Sequence, residues 1–290
     1  MLDPVYLDHV SDDMIELYTE LDQAIVRDIV RRLVKTGVIT DTARWQILRA
    51  QDSGLLYDEI IAEVAKISDT SAAHVQAMFE DAGIKAVQND AAIYEAAGKS
   101  PLPLKMSPAA MGVLNAGLSK TNGHLRNLTM TTASQAQQAY IRAATLAEMQ
   151  IESGAFDYAT AIRNAVQSAA QEGAWVSYPS GHRDRLDVAV RRAVLTGVGQ
   201  TTGQIGLAYA QDMGCDLMEI TAHAGARPSH AAWQGKLVSL SGRTGYLSLR
   251  DIGYNTGPGF KGWNCRHDWF PFFEGLSESA YPRSEIEQMN

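Results

Sequence analysis

The chain has 290 residues, of which 46% are hydrophobic, so it is long enough for one large or two ordinary domains with a core of their own. Its 25 Lys and Arg residues stand against 33 Asp and Glu residues, and the net charge of −8 argues against a broad electrostatic contact with nucleic acid or an anionic membrane. Two cysteines, and a first segment without the pattern of a signal peptide, predict a cytosolic, reducing compartment.

The first hundred residues predict a series of helices. Ser11 is placed to cap a helix and Gly37 to end it. Five large side chains between them recur at helical spacing and predict its buried face: Tyr18, Leu21, Ile25, Ile29 and Leu33. Thr40 or Asp41 is predicted to begin the next helix, and Asp69 to cap another one after it.

The middle of the chain predicts longer helices. The segment "GKSPLPLKMSP", residues 98–108, holds three prolines and is predicted to be a boundary between subdomains. A polar, alanine-rich helix is predicted from about Asn122 to Glu152, and we expect it to pack only in part on neighbouring helices, or along a partner protein. Two more helices are predicted at about 157–173 and 184–213. Residues 193–211 carry no charge, but their Gly, Thr and Gln content indicates a buried helix packed through small residues rather than a membrane span.

The composition changes after Gly214. Residues 225–275 contain nine of the 24 glycines and three of the five tryptophans. Short strands joined by glycine loops are predicted at "LMEITAH", "KLVSL" and "RHDWF". The predicted fold class is α+β, with a mostly α-helical N-terminal platform followed by a small glycine- and tryptophan-rich α+β module. We divide the chain into a helical N-terminal region, a long-helix region and the glycine-rich module, at residues 1–100, 101–213 and 214–290.

Histidine and cysteine residues of this module form a candidate metal site. Thiolate and imidazole are ligands that zinc prefers, and one ion can hold several glycine-rich loops together. The candidate ligands are His223, His230, Cys265 and His267. Their spacing is not that of a standard zinc finger, and the alternative is that they are core and turn residues that bond within the protein. Cys215 is a spare ligand candidate, with burial in the core as its alternative.

Basic and aromatic residues of the module are candidates for an anion or substrate pocket. Its members would be Arg227, Lys236, Asn264 and Arg266, with Trp233 and Trp263 as walls. The alternative, which we favour, is that the polar groups bind loop carbonyls and the tryptophans form local core. The string "GPGFKG" fits G-x-G-x-x-G, but Pro258 and the strand-like sequence after it argue against a dinucleotide site.

Three C-terminal strings together resemble one protein family. "YPSGHRDRLDVAVRRAVLTGVGQTTGQI" is followed by "TAHAGARPSHAAWQGK" and then by "DIGYNTGPGFKGWNCRHDWFPFFEGLSE". This order, over roughly residues 175 to 280, resembles the phage minor capsid protein 2 family, relatives of the Mu-F-like head morphogenesis proteins. The positions that match the family strings are Arg227, His230, Trp233, Gly235, Lys236, Gly262, Trp263, Asn264, Cys265, Arg266 and His267.

The resemblance implies a structural or assembly protein of a tailed bacteriophage. Such a protein is expected in few copies near the portal, where it acts in head morphogenesis or in DNA packaging and delivery. The implied partners are the portal or the major capsid protein, in an oligomeric assembly without membrane contact. The implied location is the virion, after synthesis in the host bacterial cytoplasm. The resemblance implies no established catalytic residues.

Two other functions stay open at this point. A metal-dependent enzyme or injected effector would use the His and Cys cluster, with three of the four candidate residues as ligands, since a catalytic zinc keeps an open position. A DNA-binding packaging factor is disfavoured by the negative charge. We favour the assembly role over both.

Overall fold

The chain is mainly helical. The computed structural model describes the backbone of residues 1–35, 42–172, 175–178 and 180–289, and the side chains of the same residues except 42–50, 53, 57, 68 and 283. The helices of this part are α1 (Pro4–His9), α2 (Asp12–Lys35), α3 (Thr42–Ala96), α4 (Pro108–Glu152), α5 (Tyr158–Glu172), α6 (Leu186–Met213), α7 (Pro228–Ala231) and α8 (Arg283–Met289), with a 3₁₀ turn at Leu104–Met106. The strands are β1 (Trp175–Ser177), β2 (Arg183–Arg185), β3 (Leu217–Ile220), β4 (Leu237–Ser239), β5 (Leu247–Ser248) and β6 (Trp269–Phe272). This architecture confirms the predicted mostly helical α+β class.

Contacts within the chain define two compact units. Unit 1 contains Met1–Asp12, His74–Asn122 and Arg192–Asn290, and unit 2 contains Asp13–Ala73 and Gly123–Arg191. Residues of α3, α4 and α6 belong to both units. The division of the chain at residues 100 and 213 was made on composition, and it stays a prediction.

Helix α2 buries the side chains that its sequence pattern indicated. All five predicted inner-face residues, from Tyr18 to Leu33, are at most 3% exposed. Ser11 precedes the helix, but its buried hydroxyl has no hydrogen-bond partner among the described residues, so the predicted side-chain cap was wrong. The chain turns from α1 into α2 at this point and buries Ser11 in the process. Gly37, the predicted end of the helix, lies outside the described residues.

Helix α3 is continuous where separate helices were predicted. Asp69 lies inside it and caps nothing, so that prediction was wrong. The physical reason is that one stripe of buried side chains passes through this point at helical spacing, with Val64, Ser71 and Val75 all buried. Thr40 and Asp41, the predicted start, lie outside the described residues.

The proline-rich segment separates α3 from α4. Helix α4 begins at Pro108 rather than near Asn122, and it ends at Glu152 as predicted. Proline at the first helical position is favourable, because its missing N–H group would have no partner within the helix. Helices α5 and α6 lie within two residues of their predicted bounds, except that Gly173 is outside the described residues.

Helices α4 and α6 pack closely in unit 1 through glycine and threonine. A Cβ atom added at Gly117 would lie 3.0 Å from the Cβ of Thr201, and one added at Gly197 would lie 3.2 Å from the Cβ of Thr121. Each helix therefore presents a glycine and a threonine four residues apart, and the threonine of one fits over the glycine of the other. The predicted burial of residues 193–211 through small side chains is confirmed. Among the described residues, no helix combines the length and apolar character needed to cross a membrane.

The strands form two small sheets. In unit 2, β1 and β2 pair antiparallel in a hairpin that the sequence pattern did not indicate. In unit 1, four strands pair in the order β5, β4, β3, β6. Strand β3 is antiparallel to both β4 and β6, and Ile220 at its end pairs with Trp269 at the start of β6. This pairing places the segments that follow β3 and precede β6 side by side.

Candidate functional site

The candidate metal ligands lie where β3 ends and β6 begins. Beyond the last strand pair, the N–H group of Thr221 donates to the carbonyl of Asp268 at 2.8 Å. The N–H group of Asp268 in turn donates to Oγ1 of Thr221 at 2.8 Å. These bonds hold the two segments together past the sheet and bring His223 beside His267.

The short helix α7 carries His230 to the same place. Arg227 has an extended backbone and Pro228 opens the helix, as proline does at a first helical position. The N–H groups of Trp233 and Gln234 both donate to the carbonyl of His230, at 3.1 and 3.0 Å. The side chains of all three residues are buried.

Three of the four predicted ligands converge. One ligand atom from each of His230, Cys265 and His267 lies within 4.8 Å of the other two. Sγ of Cys265 is 3.8 Å from Nδ1 of His267. His223 lies outside this trio but its ring packs against that of His267, with centroids 4.3 Å apart. Whether this cluster holds a metal stays a prediction at this point.

Cys215 lies apart from the trio. Its thiol donates to the carbonyl of Leu217 at 3.2 Å and faces the carbonyl of Phe272 at 3.8 Å. These contacts are made beside strands β3 and β6, and the residue is buried. Cys215 is therefore a core residue, the alternative interpretation of the sequence.

Gln234 fixes the ring orientation of His267. Its Oε1 accepts from Nε2 of His267 at 3.1 Å and from the backbone N–H of His223 at 3.2 Å. An amide oxygen only accepts, so Nε2 of His267 carries the proton and Nδ1 keeps a lone pair that faces Cys265. Sequence reasoning missed Gln234, whose only signal was its place in the family string "WQGK".

The other two histidines are oriented by backbone carbonyls. Nε2 of His230 donates to the carbonyl of Pro258 at 2.8 Å, and Nδ1 of His223 donates to the carbonyl of Ala224 at 2.9 Å. The opposite nitrogen of each neutral ring therefore keeps a lone pair. That nitrogen in His223, Nε2, is buried and has no hydrogen-bond partner among the described residues.

Burial keeps the cluster uncharged when no cation is bound. It lowers the pKa of His267 to about 2, and the neighbouring histidines and basic groups act in the same direction. Burial also lowers the pKa of His230 and of His223, against the opposing effect of their bonds to carbonyls. It raises the pKa of the Cys265 thiol, although the charge of Lys261 opposes this. At neutral pH the group consists of neutral imidazoles and a protonated thiol.

A buried ion pair adjoins the cluster. Nζ of Lys261 is 2.6 Å from Oδ1 of Asp268, and neither side chain is more than 2% exposed. Oδ2 of Asp268 accepts from the N–H group of Leu2 at 2.6 Å. Burial opposes ionisation of Asp268, but Lys261 holds its pKa below the usual value. Sequence reasoning did not predict this pair, since nothing in the sequence marks Asp268 as more than one of several scattered carboxylates.

Several family-motif positions shape the loops around the cluster. Gly235 has a φ of +65°, which favours glycine, and a Cβ atom there would lie 3.0 Å from Cγ1 of Ile286. A Cβ atom at Gly262 would run into the carbonyl oxygens of Thr256 and Gly257, so the backbone approaches itself too closely for a side chain. Asn264 has a φ of +52°, a conformation that asparagine tolerates better than most residues.

Two of the three basic candidates, Arg227 and Arg266, bind protein groups. A guanidinium nitrogen of Arg227 donates to the carbonyl of Trp263, and Nη1 of Arg266 lies 2.8 Å from both carboxylate oxygens of Asp8. Lys236 is exposed, and Trp263 is 61% exposed.

The walls proposed for the anion pocket have different environments. Trp233 is buried, with its ring centroid 4.5 Å from that of His230 and 5.6 Å from that of Phe260. The string "GPGFKG" lies in turns that lead toward β6 rather than at the start of a helix. It therefore lacks the helix N-terminus that a dinucleotide site uses.

Comparisons with known proteins extend the resemblance to the whole chain. The sequence model for "Phage minor capsid protein 2" matches residues 2–290. A protein of Lactococcus phage LL-H described as "Structural protein" is 27% identical over 124 residues, which cover 38% of this chain and 33% of that protein. The match thus spans about a third of the length of this curated relative. No solved structure matches the chain significantly. Because the family match includes the N-terminal helices as well as the C-terminal strings, the chain belongs to the phage minor capsid protein 2 family.

Proposed function

We propose that this chain is a structural protein of a tailed bacteriophage head, a minor component that acts in head morphogenesis and resides in the virion. The observation that carries the proposal is the family match over residues 2–290. The relative from phage LL-H, which is described as a structural protein, supports the same role. The alternative of a metal-dependent enzyme or injected effector is not favoured by either comparison.

The partner is the portal or the major capsid protein. Unit 2 exposes several large apolar side chains that are available to a partner, namely Val34, Leu55, Met130, Met149, Phe156 and Val188. Met149 near the end of α4 is the most exposed of them, at 63%. Exposed apolar side chains are typical of surfaces that bind other proteins. The net charge of −8 disfavours DNA as the main partner.

A phage carrying an early stop codon in the gene for this chain tests the proposed function. Complementation with the chain is expected to restore DNA-filled heads, and mass spectrometry of purified particles is expected to detect the chain. If particle yield, head shape and DNA content were unchanged without it, the assembly role would be wrong.

A pull-down with tagged chain tests the partner. The portal protein or the major capsid protein is expected to be retained, and Met149→Gln is expected to reduce retention several-fold. Glu152→Gln is the matched control, because it changes an exposed polar residue on the same helix without removing apolar surface. Equal retention by the two variants would exclude Met149 from the contact.

A further inference from the structure

We propose that His230, Cys265 and His267 are the protein ligands of a zinc ion that joins α7 to the segment before β6. The inference goes beyond the proposed function, since it concerns a binding site within the chain and does not depend on which virion protein is the partner. Two imidazoles and a thiolate are ligands of the type that zinc prefers. All three side chains are buried, so the ion would be held away from bulk water.

The distances between the ligand atoms fit a zinc site before it closes on the ion. Zinc bonds of about 2.3 Å to sulfur and about 2.0–2.1 Å to nitrogen place tetrahedral ligand atoms about 3.3–3.6 Å apart. The separation of 3.8 Å between Sγ of Cys265 and Nδ1 of His267 is a few tenths of an ångström longer. The widest separation in the trio is within 4.8 Å, which side-chain rotation can reduce.

The hydrogen bonds of the histidines are those of metal ligands. A zinc-bound histidine usually donates its second ring N–H to a carbonyl, carboxylate or water, which fixes the tautomer and directs the lone pair at the ion. His267 donates to Gln234 and His230 donates to the carbonyl of Pro258, so the other nitrogen of each ring is unprotonated and keeps a lone pair, which in His267 faces Sγ of Cys265 at 3.8 Å. When no ion is bound, the Cys265 thiol is the donor that faces Nδ1 of His267, and a zinc ion would bind the lone pairs of both rings and the thiolate at once.

The surroundings can accommodate the charge and a fourth ligand. Lys261 and Arg266, the nearest cations by sequence, are paired with Asp268 and Asp8. On binding, Cys265 loses its proton to solvent, and the resulting thiolate neutralises one charge of the ion. Nε2 of His223, which is buried without a hydrogen-bond partner among the described residues, or a water molecule completes the four-coordinate shell.

Metal content and cobalt spectroscopy on the full chain test the proposal. Protein purified without chelator is expected to contain one zinc ion per chain by mass spectrometry. After zinc is removed under reducing conditions, titration with Co²⁺ is expected to saturate at one ion per chain, with a near-ultraviolet thiolate-to-cobalt band. Substoichiometric zinc together with no thiolate band in the wild-type chain would overturn the proposal.

The two cysteines provide a matched pair of variants. Cys215→Ala leaves Cys265 as the single cysteine, so the band is expected to persist and to identify Cys265 as the ligand. Cys265→Ala is expected to abolish the band and to lower zinc affinity at least 100-fold, while circular dichroism reports whether the variant folds. A band that persisted in Cys265→Ala or vanished in Cys215→Ala would contradict the assignment. The wild-type and Cys215→Ala spectra decide the question even if Cys265→Ala does not fold.

Discussion

Replacing Gly117 with alanine tests the close packing of α4 against α6. In an exposed helix interior this change stabilises a protein by about 1 kcal/mol, because alanine is the better helix former. At Gly117 the added methyl group would lie 3.0 Å from Cβ and 2.9 Å from Cγ2 of Thr201, and closer still to its Oγ1. Rotating the Thr201 side chain does not move its Cβ, so the two helices have to shift apart.

The expected magnitude follows from these two opposing effects. Overpacking a core costs about 1–3 kcal/mol, and a contact between atoms fixed to two helix backbones belongs in the upper half of that range. After the gain in helix propensity, the free energy of unfolding should fall by about 1–2 kcal/mol. Gly112→Ala is the matched control on the same helix, because no other described atom lies within 4 Å of its new Cβ. That variant should gain about 1 kcal/mol.

Urea denaturation followed by circular dichroism measures both variants. Adding Thr201→Gly to Gly117→Ala removes the opposing Cβ together with the rest of the threonine side chain, and the double variant should be more stable than the sum of the single effects by at least about 1 kcal/mol. If Gly117→Ala stabilised the protein as much as Gly112→Ala does, the close approach of the helices would be refuted.

Three further changes test other features of unit 1. Burial raises the pKa of Asp90 to about 6, against the nearby amino group of Met1, which lowers it. The folded chain therefore binds a proton on the Asp90 carboxyl more tightly than the unfolded chain does. Protonated Asp90 stabilises the fold at pH values below its ordinary pKa of 3.8, and this stabilisation is lost as the pH rises through about 6. Asp90→Asn should remove a pH dependence of the free energy of unfolding on the order of 3 kcal/mol between these two pH values. Urea denaturation at several pH values measures it, and a parallel change in the wild type and the variant would contradict the prediction. Lys261→Met leaves the buried Asp268 unpaired and should cost about 3–5 kcal/mol in the same assay, whereas a loss below about 1 kcal/mol would mean that the pair is solvated. Gly235→Ala should lower the melting temperature more than Gly214→Ala does. Both glycines have a positive φ, but only the change at Gly235 places a methyl group against Ile286. Equal losses in the two variants would mean that backbone strain is the sole cause.

Local sequence correctly predicted the structure wherever the residue pattern of a single helix determined which side chains are buried. The spacing of apolar residues in α2 predicted its buried face, since a helix must turn its apolar stripe inward whatever it packs against. The glycines and threonines of α6 predicted a buried helix in close contact, because small residues allow helix backbones to approach. The ordered C-terminal strings predicted the family, and the match to residues 2–290 confirmed it.

Local patterns failed where neighbouring elements compete with them. Asp69 is a good helix cap in isolation, yet α3 runs through it because burial of the stripe on either side outweighs a cap worth about 1 kcal/mol. The short strands β1, β2 and β5 have too few residues for a period-two pattern to distinguish them from a loop.

In the candidate site too, the sequence determined one part of the arrangement and the tertiary structure decided the other. The sequence by itself determined which histidines and cysteines were available, and the glycines around them indicated ordered loops. Only the tertiary structure decided that His230, Cys265 and His267 converge while Cys215 lies in the core. It also brought Gln234 to His267 and Lys261 to Asp268. The reason is that these distances depend on the pairing of β3 with β6, a long-range contact between segments about 50 residues apart, which no local pattern encodes.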